Sequence, residues 1–259
     1  MRIGGNRESG NVEDRRGGGK YLVGGGIGTI IIALIIFFLF CDPTQVLNLG
    51  QQQVDTQQEA TNDANDAGKQ FVSVVLASTE DVWKQQFSTL GRSYEDPKLV
   101  LFTEQTMSGC GGASKATGPF YCPADDKIYL DLSFFSELSN RFGSQGEFAN
   151  AYVVAHEVGH HVQNLLGISS KVHQMQQNMS EAEANNLSVK LELQADFLAG
   201  YWAHYAQNLE LTEDDIRSAL SAANAIGDDR IQKQSQGYVV PDAFTHGTSE
   251  QRMEWFFKG

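Results

Sequence analysis

The sequence predicts an α+β domain, predominantly helical with a small sheet, preceded by one transmembrane helix. Three observations carry that reading. Several segments that open on Ser or Thr capping patterns repeat apolar residues at three- and four-residue steps. Two short runs, 99–102 and 127–132, have strand character. Residues 21–40 contain no charged side chain.

Along the chain, residues 1–20 combine glycines with Arg2, Arg7, Arg15, Arg16 and Lys20, the composition of a disordered basic tail. Residues 21–40, as a helix rising 1.5 Å per residue, would span about 30 Å, the thickness of a bilayer's hydrocarbon. A secretory signal has a shorter apolar core and a small-residue cleavage site, and none follows here. Phe40 is too bulky for lipoprotein processing at Cys41. Residues 41–68 hold no Lys or Arg, so the positive-inside bias predicts a cytoplasmic N-terminus and an extracytoplasmic remainder, periplasmic or extracellular. That stretch, rich in Gln, Asn, Asp and Thr, reads as a linker. Residues 69–259 suffice for one domain with its own core.

Within the domain, Leu99–Phe102 and the alternating Lys127–Leu132 are the strand candidates. Cys110 and Cys122 flank a glycine-rich loop without C-x-x-C spacing, which argues against a metal site. Outside the cytoplasm they predict a disulfide worth about 3 kcal/mol, with two free thiols as the alternative and Cys41 left over.

Ser144-Gln-Gly-Glu147 reads as a capping box opening an amphipathic helix over about 145–166, stopped by Gly167. Gly159 inside that helix costs about 1 kcal/mol relative to Ala, which implies a very close neighbour. Ser180 and Glu183 open a second helix running to about 207, Thr212 and Asp215 a third ending near Gly227, and Thr248 and Gln251 the last.

The chemistry lies on the first two of these helices. His156-Glu157-Val-Gly-His160 places two imidazoles at i and i+4, on one helix face, where they can share one Zn²⁺. Zinc with three protein ligands keeps a position for water and lowers that water's pKa to roughly 7. Glu157, beside that point, fits as the general base. The third ligand is assigned to Glu192. Asp196, four residues on, shares its face and is assigned to receive the other ring N–H of a ligating histidine. The reverse assignment, with Asp196 as ligand, stays open. His161 points about 100° away from His160 and is read as a second-sphere or surface residue. His173 and His204 lack partner spacing.

These residues carry a resemblance. His156-Glu-x-x-His160 followed by Glu192-x-x-x-Asp196 looks like the glutamate zincins. With Thr245-His-Gly-Thr-Ser-Glu-Gln-Arg252 added, the chain resembles the bacterial neutral zinc metallopeptidase family over almost its whole length. The resemblance implies a zincin-like fold and a zinc peptidase. In such folds a strand lines the cleft, and the 127–132 strand is expected to be the one to whose edge an extended peptide adds. It also suggests that His246 stabilises the developing oxyanion, with Tyr152, Tyr201 and Tyr238 as substitutes.

The chain carries a net charge of −13. Residues 1–40 contribute five basic and three acidic groups, so the remainder carries −15, which disfavours nucleic acid and anionic lipid as partners. The expected function is therefore a membrane-anchored zinc metallopeptidase acting on peptide or protein. The alternatives are a non-catalytic, zinc-stabilised envelope binding module, or an amidase acting on non-peptide amide bonds.

Overall fold

A computed structural model describes residues 1–16, 60–140 and 146–259. They include β1 (Val12–Asp14), α1 (Ala60–Thr89), β2 (Lys98–Phe102), β3 (Gln105–Ser108), β4 (Gly111–Ser114), β5 (Phe120–Cys122), β6 (Lys127–Asp131) and α2 (Ser133–Asn140). Then follow α3 (Glu147–Leu165), α4 (Ile168–Gln176), α5 (Glu181–Tyr205), α6 (Glu213–Ala225), α7 (Asp228–Gln236) and α8 (Ser249–Lys258). Met1–Arg15 and Gly68–Gly259 form one compact unit. The other unit, Arg16–Ala67, is described only at Arg16 and at the start of α1.

The α+β, mostly helical character and the small sheet agree with the sequence reading. The four-stranded sheet runs β1-β2-β6-β5, parallel except for β5 against β6, and β3 with β4 makes a separate hairpin. Alternation along the central strands divides their side chains. Leu99, Leu101, Ile128 and Leu130 enter the main core, while Val100, Phe102, Tyr129 and Cys122 form a smaller cluster on the opposite face.

The transmembrane expectation is corrected. Among the described residues no helix is long and apolar enough to cross a membrane. The stretch to which the span was assigned, 21–40, lies outside the described residues, as does most of the 41–68 linker. The N-terminal tail gives the physical reason against the single-pass topology. It was expected to be disordered and on the cytoplasmic side, yet Val12–Asp14 pair in register with Leu99–Leu101. Arg7 bonds Glu80 and Asp81 of α1 at 2.9 and 2.7 Å, and Lys127 reaches Glu13 at 3.1 Å. One crossing between the tail and the domain would put those partners on opposite faces of a bilayer. The localisation with a cytoplasmic N-terminus and an extracytoplasmic domain falls with it.

Two helix readings also change. Ser144 lies outside the described residues, and Gly146, at φ 110°, is the N-cap of α3, so Glu147 is the first helical residue. The helix is not amphipathic either. Phe148, Ala151, Val154, Val158 and Gln163 are all buried, because neighbours cover every face. The boxes at Ser180, Thr212 and Thr248 form as read from the sequence. Cys110 and Cys122 are joined as a disulfide that ties the β3–β4 hairpin to β5.

Candidate metal centre

Helices α3 and α5 cross where the sequence places its two acid and histidine motifs. Gly159 makes the approach possible: a Cβ there would stand 3.0 Å from the Ala195 carbonyl oxygen and 3.1 Å from its Cα. The close neighbour that this glycine implied is the backbone of α5, one residue before Asp196.

At the crossing His156, His160 and Glu192 converge, one ligand atom from each lying within 4.8 Å of the others. The two Nε2 atoms are 3.2 Å apart. The Glu192 oxygens lie 3.2 Å from His156 Nε2 and 3.3 Å from His160 Nε2. A tetrahedron with zinc–ligand bonds of about 2.0–2.1 Å has edges of about 3.3–3.4 Å. The donor set thus fits zinc in identity and in spacing, and Zn²⁺ is the metal of this site.

The other ring nitrogens fix the tautomers. With Nε2 committed to the metal position, His156 Nδ1–H donates to Asp196 Oδ1 at 2.8 Å. His160 Nδ1–H donates to Gln163 Oε1 at 2.9 Å, and the Gln163 amide donates to the Leu191 carbonyl at 2.6 Å. Asp196, 0 % exposed, also accepts from Tyr152 Oη at 2.5 Å and from Arg252 Nε and Nη2 at 2.9 and 3.0 Å.

Burial would discharge these groups, but their mutual charges win. His156 is pushed up to about 10, chiefly by Asp196 and Glu192 against the opposing burial and Arg252. Burial would raise Glu192, yet the two imidazoles hold it well below its ordinary value. Arg252 and His156 bring Asp196 down to about 2 against the same desolvation. Such a site favours a cation, and zinc competes there with protons.

The three ligands open on a cleft of about 530 Å³ whose lining includes Glu157, 8 % exposed, and His246. Its apolar walls are Pro119, Phe120, Phe134, Ile226 and Ile231. The strand expected to offer its edge, β6, is paired on both sides; β5 is the edge strand on the cleft side, and its Phe120 and Tyr121 line the cleft. His246 sits on a loop organised by Asp228, whose Oδ2 accepts from the amides of Thr245, His246 and Gly247 at 2.7, 2.6 and 3.0 Å. Asp228 Oδ1 faces His246 Nδ1 at 3.2 Å.

His161 is neither on the surface nor beside the ligands. It is buried, with Nε2–H donating to the Glu95 carbonyl at 2.7 Å and Nδ1 3.2 Å from Tyr121 Oη, where it pins β5 to α3. Of the three tyrosines, Tyr152 is committed to Asp196, Tyr201 donates to Gln86 at 2.8 Å, and Tyr238 is exposed. Sequence reasoning gave no role to Arg252, Gln163 or Asp228. Arg252 carried a signal: it stands four residues from buried Phe256, a charge on the apolar stripe of a short helix. Gln163 carried another, three residues after a ligating histidine.

Over residues 1–259 the chain matches the family described as Putative neutral zinc metallopeptidase. It is 48% identical over 271 residues to Uncharacterized protein YpfJ of Escherichia coli, covering 100% of this chain and 94% of that protein. It is 42% identical over 241 residues to Uncharacterized protein Rv2575 of Mycobacterium tuberculosis, covering 84% and 78% respectively. No solved structure matches the chain.

Proposed function

The chain belongs to this zinc metallopeptidase family, and from that premise we propose that it hydrolyses peptide bonds at the His156–His160–Glu192 centre with Glu157 as general base. One observation carries the reading: the ligand set has three protein members and opens, next to a carboxylate, onto a cleft. A purely structural zinc site is closed by four protein ligands and needs no base beside it.

Bound zinc supplies Lewis acidity that brings a water's pKa toward roughly 7 and polarises the scissile carbonyl. Glu157 accepts the proton of the attacking water as its oxygen bonds to the carbonyl carbon, then delivers that proton to the leaving nitrogen as the C–N bond breaks. His246 donates to the oxyanion. Its Nδ1 is engaged by Asp228, which leaves Nε2 as the ring nitrogen to meet substrate. An extended peptide pairs with the open edge of β5 and rests side chains on the apolar walls.

The test uses the full chain, because residues 1–15 are part of the folded unit. Zinc content and casein cleavage are measured before and after chelation, for wild type and Glu157→Gln. Cleavage that needs zinc, and that Glu157→Gln abolishes while retaining the metal, is the expected result. Equal behaviour of the two proteins across a broad peptide library would return the centre to a binding role. His246→Ala should keep the zinc and lower turnover; loss of zinc would remove the oxyanion role.

A further inference from the structure

We propose that the last helix, α8, is thermodynamically part of the metal centre: zinc binding at His156 and docking of α8 stabilise each other through Arg252. The inference rests on the zinc site described above and adds a segment, 249–258, that supplies no ligand.

The connection is short and fully buried. Arg252, a residue only 2 % exposed, reaches from α8 to grip both oxygens of Asp196 on α5, Nε to Oδ2 at 2.9 Å and Nη2 to Oδ1 at 3.0 Å. The same Asp196 Oδ1 takes the N–H of His156 at 2.8 Å, so one oxygen joins the guanidinium to the ligand ring. Arg252 Nη2 also donates to Tyr152 Oη on α3 at 3.2 Å, and Tyr152 in turn packs edge-on against Phe256 of α8, ring centroids 5.2 Å apart. Arg252 Nη1 reaches back to the Ile226 carbonyl at 3.4 Å.

Two consequences follow. Asp196 can hold the ring of His156 in the ligating orientation only while its own two oxygens are fixed, and the planar fork on α8 fixes both; an ammonium would hold them as a point charge. Coupling is also reciprocal: if a docked α8 favours the zinc-ready geometry, zinc must favour a docked α8 by the same factor. A helix of only 10 residues is an element in which local opening makes such an effect visible. Arg252 is thus a positioning residue, acting on the metal through Asp196.

A guanidinium that merely balanced a buried carboxylate would lower overall stability when altered and leave the zinc step alone. Two readouts separate these roles in the full-length chain: zinc affinity by competition with a chromophoric chelator, and amide exchange over 249–258 with and without zinc. In wild type, zinc should slow exchange throughout α8. Arg252→Lys should weaken zinc by about tenfold or more, the range seen when such supporting partners are lost, and erase most of the zinc-dependent slowing. Should Arg252→Lys not fold, Trp255→Ala serves. Trp255 is 37 % exposed, packs on Phe197 of α5 at 6.4 Å between ring centroids, and does not line the cleft. It should speed exchange in α8 and weaken zinc together.

Zinc uptake by wild type with no change in α8 exchange sinks the coupling alone. So does a loosened α8, in either variant, that binds zinc as wild type does. A wild-type chain that takes up no zinc sinks the metal centre and the coupling with it.

Discussion

The two imidazoles of the centre come from one helix and face one carboxylate, yet they are held by opposite means. Behind His156 stands a charged group of Asp196, Arg252 and Tyr152 with almost no exposed surface. Behind His160 stands a neutral amide, Gln163, bonded to the backbone of α5 and to Gln194. The charged side joins three helices, α3, α5 and α8, whereas the amide side joins only α3 and α5. A buried ion pair is costly to break because the survivor is left uncompensated, while a lost neutral bond costs only the desolvation of its partner. The asymmetry therefore predicts which half of the centre fails first.

The largest effect should come from Asp196→Ala. It strands Arg252 as a buried unpaired charge and should cost about 3–5 kcal/mol in urea unfolding, with zinc affinity down about 10–100-fold. A loss near 1 kcal/mol would mean that the network does not support His156. Next is Gly159→Val, which strikes both halves at once by driving side-chain atoms into the Ala195 backbone. Overpacking of that kind costs about 1–3 kcal/mol, and it should weaken zinc by parting α3 from α5. A Gly159→Val protein with native stability and native zinc binding would contradict the close approach.

Gln163→Leu should cost about 1–2 kcal/mol and reduce zinc affinity less than Asp196→Ala does. If Gln163→Leu proves the more damaging of the two, the comparison is inverted. The smallest expected effect concerns the His246 loop. Burial would raise Asp228, but His246 and the amides it caps hold it below its ordinary value. A depressed folded-state value means that this contribution is complete above the unfolded value of about 3.9 and is lost as the pH falls through the folded one. Acidification should loosen residues 245–247, and Asp228→Asn should flatten that dependence in amide exchange. A loop equally protected at pH 3 and pH 6 would remove Asp228 as its organiser.

How much of this was legible depended on distance along the chain. His156, Glu157 and His160 could be read because four residues make one helical turn, and Glu192 with Asp196 for the same reason. The boxes at Ser180, Thr212 and Thr248 were legible because capping is settled within three residues. Where the local signal was ambiguous the reading strayed. Ser144 resembled a cap two residues before the one at Gly146, and α3 looked amphipathic because its polar members, His156, Glu157, His161 and Gln163, are buried by partners rather than exposed. The strand at 127–131 was found, but not that β5 would take its edge.

The N-terminus marks the limit. Five basic residues and many glycines within twenty positions have the composition of a disordered tail. What orders Met1–Arg15 is a parallel pairing with a strand more than eighty positions away and carboxylates on α1, and composition holds no record of either. By itself the sequence determined two imidazoles on one face of α3 and two carboxylates on one face of α5, since helical periodicity stacks residues four positions apart. Only tertiary structure decided that the tail joins the sheet, that β5 walls the cleft, and that Arg252 closes the site from the far end of the chain. Those contacts come from burial, and burial is settled by the whole fold at once.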